Sequence, residues 1–437
     1  MKLKSVYVCQ NCGAQSPKWT GRCLDCGQWN TLQEDVINVG KAEKTPTLRG
    51  RAPSEAPHPM TAKLGLKDRR TTSGLEELDR VLGGGFVDGS LTLLSGEPGI
   101  GKSTLTLQIL KFLTEAKASA LYVSGEESVD QILDRASRLN CLDERANVVY
   151  ETQIERVLEL LETQKPGFLV VDSVQVMYSS EIPGYPGSIS QVRTITEQVM
   201  GHVKRMNIPT LLIGHVNKEG QLAGPKVLEH LVDTVLLLEG QRDQSMRILR
   251  AVKNRFGTVS EVGLFEMDEA GLRELKNPSE HILLHRPKNA AGSMLTMSLE
   301  GNRPLLYEVQ ALVSRTPFGY PKRSASGFDR NRLELLCAVL QKHTDLDLSD
   351  QDIFVNVVGG FSLSDPAADL AVCLAMASSA LKRAVPDTLV AFGEVGLTGE
   401  IRPGLGEKTR QEACERMGLV RIPKASELKG LLKQLFS

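Results

Sequence analysis

The run Gly96-Glu97-Pro98-Gly99-Ile100-Gly101-Lys102-Ser103-Thr104 constrains the fold of this chain more than any other stretch. It matches G-x-x-x-x-G-K-[ST], a phosphate-binding loop, which needs a strand to deliver it and a helix to continue from it. Both flanks comply. Ser90 to Ser95 reads as a buried strand, and Leu105, Leu107, Ile109 and Leu110 fall at helical spacing. The glycines let backbone N–H groups turn inward at the positive end of the helix dipole, a concavity suited to a triphosphate. Lys102 is then expected to reach the β- and γ-phosphates and the Ser103 hydroxyl to ligate Mg²⁺. The expected ligand is ATP with Mg²⁺.

A chain of 437 residues exceeds one ordinary core, so two or three domains are expected. The net charge of −1 leaves any polyanion-binding surface to a local basic patch. No stretch approaches the length of a membrane span, and Met1 to Ser5 lacks a signal peptide's apolar core. A soluble, cytoplasmic protein is the expectation.

Four of the eight cysteines crowd the N-terminus as Cys9-x-x-Cys12 and Cys23-x-x-Cys26, with ten residues between the pairs. Each C-x-x-C sets two thiolates on one tight turn, and two such turns complete a tetrahedral Zn²⁺ site. Gly13 and Gly27 follow the second cysteine of each pair, where the turn favours positive φ. A redox role needs only one pair. Trp19 and Trp29 lie inside or beside this module, either packed against the metal turns or free to meet a nucleic-acid base or a partner protein. We read 1–34 as a four-cysteine zinc ribbon and 35–66, polar and bearing four prolines, as a flexible linker.

From 67 to 275, strands and helices alternate as a mostly parallel sheet demands. Leu121 to Gly125 is a strand ending at Glu126 and Glu127. Phe168 to Val171 ends at Asp172 in the Walker B manner, and Pro209 to Gly214 ends at His215. Ligands in such sheets sit at the carboxyl ends of the strands. Asp172 is expected to hold the Mg²⁺ shell. Glu126 or Glu127 would orient and deprotonate the attacking water; we favour Glu126.

These stretches, with the Leu-Asp…Leu-Gly-Gly-Gly lead-in at 78–85, resemble the RecA/KaiC/DnaB class of ring or filament ATPases. Gly214-His215-Val216-Asn217-Lys218-Glu219-Gly220, Lys253-Asn254-Arg255-Phe256-Gly257 and the cysteine module together narrow the likeness. The chain is similar to the RadA (Sms) family of bacterial DNA repair proteins from its first cysteine to near Ile401. The resemblance implies a hexameric, ATP-driven motor that migrates branches in recombination intermediates and binds single-stranded and branched DNA. Recombinase or replicative helicase partners are implied with it. In this class Lys253 to Gly257 couples nucleotide state to DNA. Here it is expected as a turn between strands 246–252 and 258–266, presenting Lys253 and Arg255 to a neighbouring subunit's γ-phosphate or to DNA. Two loops are expected to meet DNA: Tyr178 to Gly187, with two tyrosines, and His215 to Lys226, with Lys218 and Lys226. The alternative is a nucleotide-gated, KaiC-like switch or adaptor that binds partners without translocating.

Residues 280–437 read as an α+β domain resembling the proteolytic domain of Lon protease. Ala367 stands where that family's nucleophilic serine would be, and an ungapped extension brings Lys408 to the general-base position. A base without its nucleophile forms no acyl-enzyme, so the domain is expected to be non-proteolytic. Between Arg303 and Arg332, six basic residues (Arg303, Arg315, Lys322, Arg323, Arg330, Arg332) face two acids, with Phe318, Tyr320 and Phe328 interleaved. That composition suits a DNA-backbone patch. After Arg402 the sequence departs from the family pattern, and the last strand–helix unit is expected to be atypical.

Overall fold

A computed structural model describes residues 3–9, 15–24, 27–38, 70–214, 227–240, 245–276, 278–317, 319–359 and 362–437. The chain divides into two compact units, one ending at Glu274 and one beginning at Leu275.

In the N-terminal segment, strand Leu3–Cys9 pairs antiparallel with Leu32–Asn38 over its whole length, Leu3 opposite Asn38 and Cys9 opposite Leu32. The ribbon therefore extends beyond the expected limit at 34. A seven-residue strand leaves a full row of backbone donors and acceptors that needs an equally long partner, and a linker starting at 35 splits Val36 and Ile37 from that strand.

The ATPase core is a nine-stranded sheet. Its order is Gly271–Glu274, Val262–Asp268, Met246–Asn254, Thr234–Glu239, Leu91–Gly96, Thr210–Ile213, Phe168–Asp172, Ala120–Ser124 and Ala146–Tyr150. The last six are mutually parallel, and the first three extend the sheet antiparallel. Central strands are apolar on both sides because helices cover both faces. Leu94, Val170 and Leu211 pack with helices Glu76–Leu82, Lys102–Glu115 and Val129–Arg138. Leu93, Leu169, Val171 and Leu212 pack with Ile154–Gln164 and Ile189–Met206. The stripe Ile189, Val192, Ile195, Val199 and Val203 is buried as its spacing requires. Each such aliphatic side chain contributes about 1.5–3 kcal/mol on burial.

The second unit is an α+β fold. Its six-stranded sheet runs Arg323–Ser326, Gln351–Val357, Arg303–Arg315, Ser293–Glu300, Leu389–Val390, Val420–Arg421. Helix Asp369–Leu381 is apolar all round and buried from Asp369 to Ser378, as a helix enclosed on every side must be. Two short strands, Leu389–Val390 and Glu394–Val395, fall close together in sequence but belong to different sheets. The tail is regular: helix Glu407–Arg416, strand Val420–Arg421 and helix Leu428–Phe436, which buries Leu428, Leu431, Leu432 and Phe436. No helix among the described residues is long and apolar enough to cross a membrane.

Candidate functional site

Strand Leu91–Gly96 lies inside the parallel sheet, so the loop it delivers opens at the carboxyl edge where neighbouring strands also end. Gly99 and Gly101 take φ of +80° and +116°, and Gly101 starts helix Lys102–Glu115. Side chains are strained in that region of backbone space, which reserves both positions for glycine. A Cβ on Gly101 would also come within 2.5 Å of Met267 Cε. Ile100, buried, anchors the loop between them.

Lys102, Ser103, Glu126, Glu127, Arg135 and Asp172 line one open cavity of ≈310 Å³ with Pro98, Gly99, Gly101 and Thr104. The Lys102 ammonium donates to the carbonyls of Gly96 at 2.8 Å and Glu97 at 3.0 Å. Burial lowers its pKa, against the opposing pull of Asp172 and Glu126. The Ser103 hydroxyl donates to Asp172 Oδ2 at 3.3 Å, and the Tyr122 hydroxyl donates to the same oxygen. Burial and the adjacent Asp172 raise the Tyr122 pKa well above its ordinary value, so Tyr122 stays a donor. A serine hydroxyl facing a carboxylate across a phosphate loop is a hard, oxygen-only donor set, which fits Mg²⁺.

The two adjacent glutamates part company here. Glu127 receives both Arg135 nitrogens, at 2.8 and 2.7 Å, in a bidentate pair. Glu126 accepts from the Ser173 hydroxyl. Three further residues escaped the sequence reading: Tyr122, Ser173 and Arg247. Arg247 is buried and its Nε donates to the Ile100 carbonyl at 3.0 Å, bracing the phosphate loop from the antiparallel side of the sheet. Its signal was available: alternation in Met246–Asn254 puts Arg247 on the buried face with Leu249 and Ala251.

Lys253 and Asn254 belong to strand Met246–Asn254, so the turn is shorter at its start than expected, and the next strand begins only at Val262. Pairing with Thr234–Glu239 extends the strand, Thr234 lying opposite Asn254. The Lys253 ammonium donates to the carbonyls of Glu229 at 2.6 Å and Val232 at 2.7 Å, at the end of helix Val227–Leu231. Burial lowers its pKa, with Arg255 adding to the effect. Arg255 pairs with buried Asp233 at 3.1 Å while its own side chain stays half exposed. Neither lines the phosphate cavity of its own subunit. Arg70 ties the motif to the glycine turn, donating to Phe256 O at 2.9 Å and to Gly85 O at 3.1 Å.

Of the two loops expected to meet DNA, Tyr178 to Gly187 is held in shape by buried Gln191, whose amide donates to the carbonyls of Ser179 and Ile182. Tyr185 projects, 83% exposed, and Tyr178 is half-buried. The other, His215 to Lys226, lies outside the described residues, as does Phe318. The basic run 303–332 is not one free cationic face. Arg332 clamps buried Asp369, Arg323 donates to the carbonyls of Gln351 and Leu348, and Arg330 and Arg315 pair with Glu334 and Asp350. Arg323 and Arg332 are held by partners distant in sequence, while Arg315 and Arg330 stay exposed in surface ion pairs.

The Lon-like position is likewise rearranged. Lys408 is solvent-exposed beside Glu412, whereas Arg410, two residues on, is fully buried. Arg410 pairs with Asp365 at 2.6 Å, two residues before buried Ala367. The helical turn starting at Glu407 turns Lys408 outward and Arg410 inward.

In the N-terminal segment, Cys9 and Cys23 are buried together with Leu32, while Cys12 and Cys26 lie outside the described residues. Gly27 N–H donates to Cys23 O at 2.9 Å and Cys23 N–H to Gln28 O at 2.8 Å, closing a tight turn around Cys23 with Gly27 at φ +73°. Buried thiols at the end of a strand and on such a turn fit part of a Zn²⁺ ligand set.

A parallel sheet with a phosphate loop on a central strand, a serine–carboxylate pair behind it and a glutamate across it defines a RecA-like P-loop ATPase. Comparison with known proteins gives the finer assignment. A rubredoxin metal-binding domain family matches residues 7–34, and an AAA domain family matches residues 56–221. DNA repair protein RadA of Bacillus subtilis (strain 168) is 46% identical over 99% of this chain and 95% of its own length. RadA of Aquifex aeolicus (strain VF5) is 45% identical over 98% and 95%. A KaiC-like protein of Pyrococcus horikoshii OT3 aligns with 47% of this chain and 99% of its own, at 20% identity and a TM-score of 0.39. The chain belongs to the RadA family of bacterial DNA repair proteins.

Proposed function

We propose that this protein is an ATP-driven DNA motor of helicase type that migrates branches in recombination intermediates during DNA repair. The observation that carries the reading is the convergence of Lys102, Ser103, Asp172 and Glu126 on one cavity, in a chain whose full-length relatives are named DNA repair proteins. The Lys102 ammonium exchanges loop carbonyls for the β- and γ-phosphates. Ser103 and Asp172 would hold Mg²⁺, which neutralises charge on the triphosphate when bound. Glu126, oriented by Ser173, positions a water for in-line attack and takes its proton. Glu127, committed to Arg135, shapes the rim of the cavity.

Assembly as a homo-oligomer, a hexameric ring, would let Arg255 and Lys253 sense a neighbour's γ-phosphate or DNA. Arg255 is the more ready of the two, because a half-exposed ion pair costs little to exchange. Zn²⁺ on Cys9, Cys12, Cys23 and Cys26 would fold the ribbon. The Lon-like unit, 280–437, serves as a scaffold, and 67–275 as the motor.

The test is ATP hydrolysis with and without single-stranded DNA, beside a Lys102→Ala control. Stimulation that disappears in the control supports the motor. Unstimulated turnover with no DNA retained in any nucleotide state overturns it in favour of a nucleotide-gated switch.

A further inference from the structure

Trp19 and Trp29 are the only tryptophans in the chain, and both are mostly exposed, at 56% and 68%. A tryptophan kept for packing is ordinarily well buried. These two meet at one place. Arg22 and Trp29 bridge antiparallel, and Asn30 N–H donates to Gly21 O at 2.8 Å, which draws the two arms of the turn together. A Cβ on Gly21 would stand 3.6 Å from the Trp29 ring and 3.9 Å from the Trp19 ring. An edge of each indole thus converges on one bare glycine.

Cations border the two rings. The Arg22 guanidinium lies 6.0 Å from the Trp29 ring centroid, with its Nε donating to Gly27 O at 2.8 Å. Lys18 is exposed beside Trp19 in sequence. Residues 15–24 and 27–31 contain no Asp or Glu; the intervening acid, Asp25, lies outside the described residues. A platform of π-faces bordered by cations and poor in carboxylates complements a polyanion with exposed planar bases. A duplex keeps its base faces stacked on one another, so the match is to unpaired strands.

We propose that the zinc ribbon binds single-stranded nucleic acid, with unpaired bases stacking on Trp19 and Trp29 while Lys18 and Arg22 meet the backbone. The proposal rests on the reading of this chain as a DNA-acting protein and gives the ribbon its own contact with the strand, separate from the loops of the ATPase core.

Because no other tryptophan is present, intrinsic tryptophan emission of the full-length protein reports on this surface alone. Single-stranded oligothymidylate is titrated while emission and the anisotropy of a fluorescein-labelled copy are followed together. The expected result is quenching that tracks anisotropy, with little response to duplex DNA of equal length. A Trp29→Ala variant with unchanged zinc content should bind about tenfold more weakly, and Trp29→Phe should recover most of the loss. Anisotropy that rises with no change in emission, and an unaltered affinity in Trp29→Ala, would overturn the ribbon contact and leave the motor reading standing. Emission that responds only to an added protein partner, with DNA bound elsewhere, would assign the surface to that partner and overturn it too. No anisotropy change in any nucleotide state would overturn both.

Discussion

Glu126 and Glu127 are consecutive residues at the end of one strand, yet Glu127 is locked into a two-bond pair with Arg135 while Glu126 faces Ser173 next to the Walker B aspartate. The difference separates their chemistry. Both Glu127 oxygens serve the Arg135 guanidinium, whereas Glu126 is turned toward the hydroxyl beside Asp172, where a water would meet the γ-phosphate. Glu126→Gln should lower kcat for ATP hydrolysis by about 10²–10⁴-fold while nucleotide binding persists. Glu127→Gln should act mainly through KM. Steady-state kinetics beside equilibrium binding of a fluorescent nucleotide separates the two, and equal losses of kcat in both variants would refute the assignment.

Tyr122 offers a second test at the same site. Its hydroxyl fixes the Asp172 oxygen that Ser103 also reaches, so removing it frees a rotamer without changing the charge. A hydrogen bond to a charged group is worth about 1.5–3 kcal/mol. Tyr122→Phe should therefore raise the Mg²⁺ concentration needed for half-maximal hydrolysis by about tenfold or more, with kcat recovered at saturation. A Mg²⁺ titration of the variant decides it.

Lys253 and Arg255, paired in the sequence reading, separate in the structure. Lys253 satisfies carbonyls at the end of helix Val227–Leu231, where a cation also meets the negative end of the dipole. Lys253→Ala should cost the ATPase unit about 1–2 kcal/mol, read as a lower melting temperature. Arg255→Ala removes a half-exposed guanidinium but leaves buried Asp233 its Lys204 partner and the Leu91 N–H, so it should cost less than about 1 kcal/mol and still abolish DNA-stimulated turnover. Equal effects of the two on stability would contradict this division.

How much of this was legible in the sequence depends on range. The phosphate loop and the strand ending at Asp172 are local patterns, and they were read directly. Partners distant in sequence were not. Nothing near Arg332 announces buried Asp369, and nothing near Lys253 announces the helix whose carbonyls it meets. Counting cations along residues 303–332 likewise ignores the acceptors that tertiary contact brings to Arg323 and Arg332. Strand Leu32–Asn38 is clipped when the polar, proline-bearing stretch after it is read as beginning at 35, while Val36 and Ile37 still pair with Leu3–Cys9.

Asp365 and Arg410 make the second unit acid-sensitive. Burial raises the Asp365 pKa, but the Ala367 N–H and the Arg410 guanidinium outweigh that and hold it below the ordinary carboxylate range. A carboxylate with a depressed folded pKa stabilises fully above its unfolded value and loses that contribution as pH falls through the folded one. Thermal unfolding followed between about pH 5 and about pH 2 should show this loss, and Asp365→Asn should flatten the slope. Arg410→Met, which leaves the half-buried Asp365 carboxylate without its guanidinium, should cost about 1–3 kcal/mol at neutral pH.

The same pair decides whether the Lon-like unit can be returned to proteolysis. Restoring the hydroxyl by Ala367→Ser supplies a nucleophile, but the group buried close to it is Arg410, and a guanidinium does not give up its proton to act as a base. Lys408, the residue that sequence alignment places there, has its side chain 91% exposed on the outer side of its helix. Gly404 also presses on Ala367, since a Cβ built there falls 2.5 Å from the alanine methyl, leaving little room for a substrate carbonyl. Ala367→Ser should therefore neither degrade casein nor label with a fluorophosphonate. Labelling of the serine would mean that a second base reaches it and that the buried ion pair does not close the site.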